Sequence, residues 1–158
     1  DVRILYASSS TAYEPWKNPY AMSKYSMEQL EHNNCLGMRF TTVYGTGARK
    51  DMLIPKILRN DIQYLNVNHI RDFIHVDDLI SAIDVIMTKN IKGVIDIGSG
   101  VSNKLTDIAD YFKIDYKSVI GDETERLDNT ADTSLLNSHG WKNKTNLYKY
   151  IEECKNVN

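Results

Sequence analysis

The chain has 158 residues, 42% hydrophobic and 25% charged, which suits one globular domain or part of a larger one and is long enough to bury a real core. Its net charge of -2 provides no basic field to hold nucleic acid or an anionic membrane surface, so any anionic ligand must be gripped by local groups. Cys35 and Cys154 form no C-x-x-C pair, no apolar run approaches the roughly 18 residues of a membrane span, and no signal segment opens the chain, so it reads as a cytoplasmic protein without a zinc or other metal site and without a disulfide framework.

Asp1 leads almost straight into an apolar run. Residues 2 to 8 are short, continuous and close on serines, which predicts a buried strand and a chain that begins in the middle of a domain. A helix is expected from about 20 to 33, where Pro19 suits the first turn and Met22, Met27 and Leu30 fall near helical spacing. Residues 36 to 43 predict a second strand that runs into a Gly45/Gly47 turn, followed by a helix over 52 to 59. Two extended pieces come next, Gln63 to Asn66 and Arg71 to Val76. Asp77 or Asp78 is then expected to cap a helix carrying Leu79, Ile80, Ile83, Val85 and Ile86. A strand over 93 to 97 enters Gly98-Ser99-Gly100, a helix over 105 to 113 follows, and the remainder predicts a small lobe with helices at 133 to 138 and 146 to 154. This alternation argues for an α/β fold with a parallel sheet.

Tyr20 and Lys24 stand one helical turn apart, and Ser9 closes the first strand eleven residues before the tyrosine. A phenol has an ordinary pKa of about 10 and is a poor base near neutrality. An ammonium on the same helix face favours the phenolate, and a serine hydroxyl nearby can hold the oxygen whose proton moves. The residue types and spacing therefore allow a proton-transfer site, although a surface helix turn has the same pattern. A doubly wound sheet normally carries its dinucleotide-binding turn after its first strand. The nearest match is Gly98-Ser99-Gly100-Val101-Ser102-Asn103, where Asn103 stands in place of a third glycine. That segment reads as a tight strand-to-helix turn, and a pyrophosphate loop is expected upstream of Asp1.

Six segments come in a recognisable order: Tyr6 to Tyr13, Tyr20 to Lys24, Met38 to Gly45, Arg71 to Asp78, Asp96 to Gly100 and Ala131 to Ser134. The chain resembles the extended short-chain dehydrogenases/reductases, specifically the NAD-dependent nucleotide-sugar epimerase/dehydratase family, from that family's fifth strand to its C-terminus. The resemblance implies the C-terminal half of a Rossmann-like doubly wound parallel sheet (residues 1–44 and 72–98), its first half lying outside the chain. A small α/β substrate-binding lobe would take 45–71 and 99–158.

By the same resemblance, Ser9 is the catalytic hydroxyl, Tyr20 the general base, and Lys24 the cation that bonds the nicotinamide ribose of NAD. Arg39, Phe40 and Thr41 match the segment beside the nicotinamide. Thr42 falls where the family often has asparagine against the substrate diphosphate, and threonine there is similar to the UDP-glucuronate 4-epimerase branch. Arg71 looks like a diphosphate-binding arginine, a role suited to its permanently charged planar fork. Met52, Leu53, Tyr64 and Asn66 match segments that hold the nucleoside of a UDP-sugar. A homodimer built on the Tyr/Lys helix is likewise implied.

Other readings of these residues stay open. Ser9 also suits a turn cap, Arg71 with Asp72 a surface ion pair, and Tyr64 a filler between lobes. His75 reads as a packed residue. The chain also departs from the family pattern. The Ser9 to Tyr20 separation is shorter than in most extended members, and the family's second diphosphate arginine falls near Asp122, leaving Arg126 as a substitute. Ser10 and Thr11 stand where the family's dehydratases carry a carboxyl, which favours C4 epimerisation over dehydration. A dehydratase or reductase of the same family remains an alternative, as does an inactive fragment or a non-catalytic nucleotide-sugar binder lacking the cofactor loop.

Overall fold

The computed structural model describes residues 2–30 and 34–156. Its centre is a parallel sheet of β1 (Ile4–Ser9), β2 (Cys35–Phe40) and β7 (Gly93–Ile97) in the order β1-β2-β7. Register pairs Ile4 with Cys35 and Ser9 with Phe40, and then Leu36 with Gly93 and Phe40 with Ile97. All three strands therefore end at one edge. The side chains that close them, and the turns that follow, gather where ligands of open α/β sheets bind. Among the described residues, β1 has a strand neighbour on one side only.

The strand expected over residues 36 to 43 is divided. β2 stops at Phe40 and β3 (Thr42–Tyr44) pairs in parallel with β6 (Phe73–His75), Thr42 opposite Phe73. The change of partner happens at Thr41 and Thr42. The Thr41 amide still reaches the Ile97 carbonyl on β7, whereas the Thr42 amide bonds to the carbonyl of Asp72. One continuous β-forming run thus serves two sheets, which periodicity does not reveal.

β1 leads into a 3-10 turn, Ser10–Tyr13, and then α1 (Pro19–Glu28). Asn18 caps α1, its Oδ1 accepting from the Ala21 amide at 2.8 Å, and Pro19 takes the first turn. The helix is described only to Glu28, shorter than expected, and residues 31–33 lie outside the described residues. Its anticipated apolar face is outward: Met22, Met27 and Leu30 are exposed, and α1 buries Ala21 and Glu28 instead. A carboxylate can face the sheet here because Ser8 Oγ donates to it and Arg39 grips it with two hydrogen bonds.

β5 (Ile70–Arg71) and β6 lead into α3 (Val76–Thr88), whose Ala82 and Ile86 are buried against the sheet. His75, not Asp77 or Asp78, is its N-cap, with Nδ1 accepting from the Asp77 amide. Asp78 is buried, and its carboxylate accepts from the amides of Lys144 and Thr145 at 3.2 and 2.8 Å, pinning the C-terminal segment to α3. Leu36, Ile74, Ile86, Ile97, Leu136 and Trp141 form the core around the sheet. Trp141 Nε1 donates to Ser81 Oγ, whereas Trp16 before α1 is exposed.

A second core, including Ile57, Leu65, Ile108 and Ile151, lies among α2 (Leu53–Leu58), β4 (Tyr64–Asn66), α4 (Leu105–Tyr111) and α6 (Leu147–Asn156). β4 pairs in parallel with β9 (Lys117–Val119), and β5 pairs antiparallel with β8 (Asn103–Lys104). α5 (Ser134–Ser138) packs near α3.

Candidate active site

A cleft of about 530 Å³ opens at the carboxyl edge of the sheet. Its walls come from Ser9, Ser10 and Thr11 after β1, Phe40 to Val43 across the β2/β3 switch, the turn Tyr44 to Arg49 with Met52, and Arg71, Val76 and Asn129. Hydroxyl groups are plentiful, two arginines are present, and among the described residues no carboxylate lines the wall. Such a lining suits a polyhydroxylated anion.

Ser9 is largely buried, and its hydroxyl caps the turn that follows, accepting from the Thr11 amide at 3.3 Å and from Thr11 Oγ1 at 3.0 Å. The turn-cap reading and the cleft reading are therefore both met. Ser9 lines the cleft with its own O–H still available as donor. Thr42 Oγ1 accepts from Asn129 Nδ2 at 3.2 Å, which leaves its proton free in the same way. Asn129 in turn accepts from the amide of Asp72 at 2.7 Å, so a carboxamide distant in sequence fixes the threonine.

Tyr20 and Lys24 are brought together but stand outside the cleft wall. The Lys24 ammonium lies 5.6 Å from the centre of the Tyr20 ring, and Tyr20 is 55% exposed. Lys24 Nζ donates to the carbonyl of Ala7 at 3.0 Å, tying α1 to β1 two residues before Ser9. Arg39 is not on the cleft wall. Its guanidinium pairs with Glu28 at 2.6 Å and lies 4.0 Å from the centre of the Tyr13 ring, and the Glu28 hydrogen bonds hold its pKa above the ordinary arginine value. Arg126, 4.6 Å from the same ring, donates to the carbonyl of Ser10 at 2.7 Å and braces the turn. Tyr13 donates to Asp96 at 3.1 Å, and burial followed by that carboxylate raises its pKa.

Phe40, Thr41, Thr42, Met52 and Arg71 line the wall, whereas Leu53 packs into the second core. Tyr64 is exposed, with the Lys117 ammonium 5.9 Å from its ring centre, and Asn66 Nδ2 is 3.4 Å from His69 Nδ1; neither lines the cleft. Arg71 is not paired with Asp72. Asp72 is fully buried, its carboxylate accepting from Ser99 N, Ser99 Oγ, Gly100 N and Ala131 N between 2.7 and 3.1 Å. A Cβ on Gly98 would approach Asp72 Oδ2 to 2.6 Å, so glycine is required for this close turn. The Ser99 and Gly100 amides of this turn are thereby committed to an internal carboxylate. Arg49 and Asn129 are wall residues that the sequence reading missed, since each follows a turn without any motif of its own.

The model of the NAD dependent epimerase/dehydratase family matches residues 2–98. The chain is 24% identical over 148 residues to CDP-abequose synthase from Salmonella muenchen, with 84% of this chain and 50% of that protein covered. Among solved structures it is similar to MoeE5 in complex with UDP-glucose and NAD, at a TM-score of 0.81 and 23% identity, covering 98% of this chain and 65% of that one. It is similar also to UDP-glucuronic acid 4-epimerase from Bacillus cereus in complex with UDP-glucuronic acid and NAD, at a TM-score of 0.78 and 22% identity, covering 98% and 62%. These structures share its Rossmann-like fold. The chain spans about half the length of the curated relatives it matches. With the family match extending over more than half of its residues, the chain belongs to the NAD dependent epimerase/dehydratase family.

Proposed function

We propose that the chain carries the substrate side and the Ser-Tyr-Lys site of an enzyme that epimerises a nucleoside-diphosphate sugar, in the first instance a UDP-sugar, at C4. The observation that carries this reading is the cleft itself: hydroxyls of Ser9, Ser10, Thr11, Thr41 and Thr42 with Arg49 and Arg71, and no carboxylate. The serine end suits the sugar, and the arginines suit the diphosphate. The absence of a lining carboxyl also disfavours dehydration, which needs an acid beside the catalytic hydroxyl to move a second proton.

NAD is the cofactor of the family and, when bound, supplies reversible two-electron acceptance at the sugar carbon. Its nicotinamide-ribose end fits Tyr20, Lys24, Phe40 and Thr41. Lys24 uses one of three N–H groups on Ala7, leaving two for ribose hydroxyls. Its pyrophosphate finds no cradle at Gly98–Gly100, whose amides Asp72 holds. Tyr20 takes the proton of the sugar hydroxyl and returns it, and Ser9 donates to the same oxygen. Exposed Met22, Tyr25 and Met27 on α1, with Leu30 just beyond it, support a homodimer through that helix.

Tyr20→Phe in the complete enzyme, assayed for C4 interconversion of UDP-glucose and of UDP-glucuronate, is expected to lower turnover about 10²- to 10⁴-fold with the fold retained. Unchanged turnover would remove Tyr20 as the base. Tyr20 standing outside the cleft wall and 55% exposed favours a second reading, a nucleotide-sugar binder without catalysis, which predicts binding of UDP-sugars and no interconversion.

A further inference from the structure

Arg71 lines the cleft with its side chain 16% exposed, yet both of its terminal nitrogens are already engaged. Nη1 donates to the carbonyls of Ile70 and Leu127 at 2.9 and 3.0 Å. Nη2 donates to His69 Nδ1 at 2.8 Å and to Glu125 Oε2 at 3.2 Å. Three of these acceptors are neutral and belong to the wall around the guanidinium. The fourth is a carboxylate on a half-exposed side chain, and it is the group that an incoming anion replaces at least cost.

Glu125 also sits in the middle of a strap. Lys17 Nζ donates to the carbonyls of Glu123 and Glu125 at 3.1 and 2.9 Å, and Asn18 Nδ2 donates to that of Thr124 at 2.8 Å. Asn18 is the cap of α1, two residues before Tyr20. Residues 123–125 therefore run from the start of the Tyr/Lys helix to the arginine on the cleft wall, and one residue supplies a contact at each end: the Glu125 carbonyl to Lys17 and its carboxylate to Arg71.

We infer that Glu125 is an affinity-setting residue of the proposed diphosphate site: in the free protein its carboxylate occupies Arg71 as a stand-in for phosphate, and a diphosphate must displace it to bind. This rests on the reading of Arg71 as the diphosphate arginine. An ion pair with one exposed partner contributes little, so the competition is shallow and removing it tightens binding by about two- to fivefold. A phosphate oxygen accepts the same charge-assisted hydrogen bond from Nη2 with a higher charge, which is why it prevails. The carboxylate also spares a half-buried cation from standing unpaired.

Isothermal titration of the chain with UDP tests this in four forms: unaltered, Glu125→Gln, Glu123→Gln and Arg71→Lys. Glu125→Gln is expected to bind UDP two- to fivefold tighter, a gain that loss of packing does not produce. Glu123→Gln removes the same charge two residues away without touching Arg71 and is expected to leave affinity unchanged. Arg71→Lys keeps the charge and loses the planar guanidinium that the Ile70, Leu127 and His69 acceptors hold in place, and weakened binding upholds the site. If Arg71→Lys weakens UDP and Glu125→Gln fails to tighten it, the competition is overturned while the site stands. Equal tightening by both glutamine variants overturns it too, since the effect is then general charge. If Arg71→Lys binds as the unaltered chain does, or no form binds UDP, the diphosphate reading falls and the inference with it.

Discussion

His69 is 1% exposed and accepts from Arg71 at Nδ1, so its neutral form is the one that fits. Burial first, and then the neighbouring Arg71 charge, lower its pKa; Glu125 opposes them weakly. In the unfolded chain a histidine takes up its proton near pH 6.5. Between that pH and the lower folded value the folded state binds fewer protons, so stability rises with pH across the window and is lost as pH falls below about 6.5. Urea midpoints measured from pH 7.5 down to 5.5 are expected to decline, and the non-titrating His69→Gln to flatten that slope. Asp72 acts at the same scale with a larger stake. Its carboxylate satisfies three backbone amides and the Ser99 hydroxyl around a fully buried position. Asp72→Ala leaves those donors unpaired at about 1–3 kcal/mol each, so a loss of about 3 kcal/mol or more is expected in equilibrium unfolding. A surface ion pair was the competing reading of Arg71-Asp72. The structure separates them: Arg71 bonds to His69 and Glu125 on the cleft side, and Asp72 turns to the Ser99, Gly100 and Ala131 amides.

α1 shows how far pattern reading carries an element and where it stops. Its start was legible from Pro19, which acts locally, as does Asn18, the cap that the sequence reading passed over. Its buried face was not. The apolar residues at near-helical spacing point outward, and the sheet side is Ala21 with a carboxylate whose partners, Ser8 and Arg39, come from two strands. No local rule anticipates a buried glutamate satisfied by distant groups. The same reason hid Asn129 and Arg49 while leaving Ser9, Thr42 and Arg71 readable within ordered motifs. The outward face has its own expected outcome: Met27→Asp, at an exposed position, should leave the fold intact and shift the chain from dimer to monomer in sedimentation velocity. A monomer before substitution would count against the α1 dimer.

Across the whole molecule the α/β order and the parallel sheet were legible, because strand and helix periods alternate cleanly along the chain. The switch between β2 and β3 was not, being decided by which carbonyl each of two adjacent amides reaches. The two tryptophans divide this molecule optically. Trp141 is 3% exposed with its indole N–H bonded to Ser81, whereas Trp16 is 72% exposed and adjoins Lys17, the residue that holds the strap. Their emission therefore separates by colour and by access to a dissolved quencher: the red, quenchable part belongs to Trp16, and the blue, shielded part to the core. The chain thus contains an unlabelled reporter beside the Tyr/Lys helix and, in the same spectrum, an internal reference for whether the fold is intact.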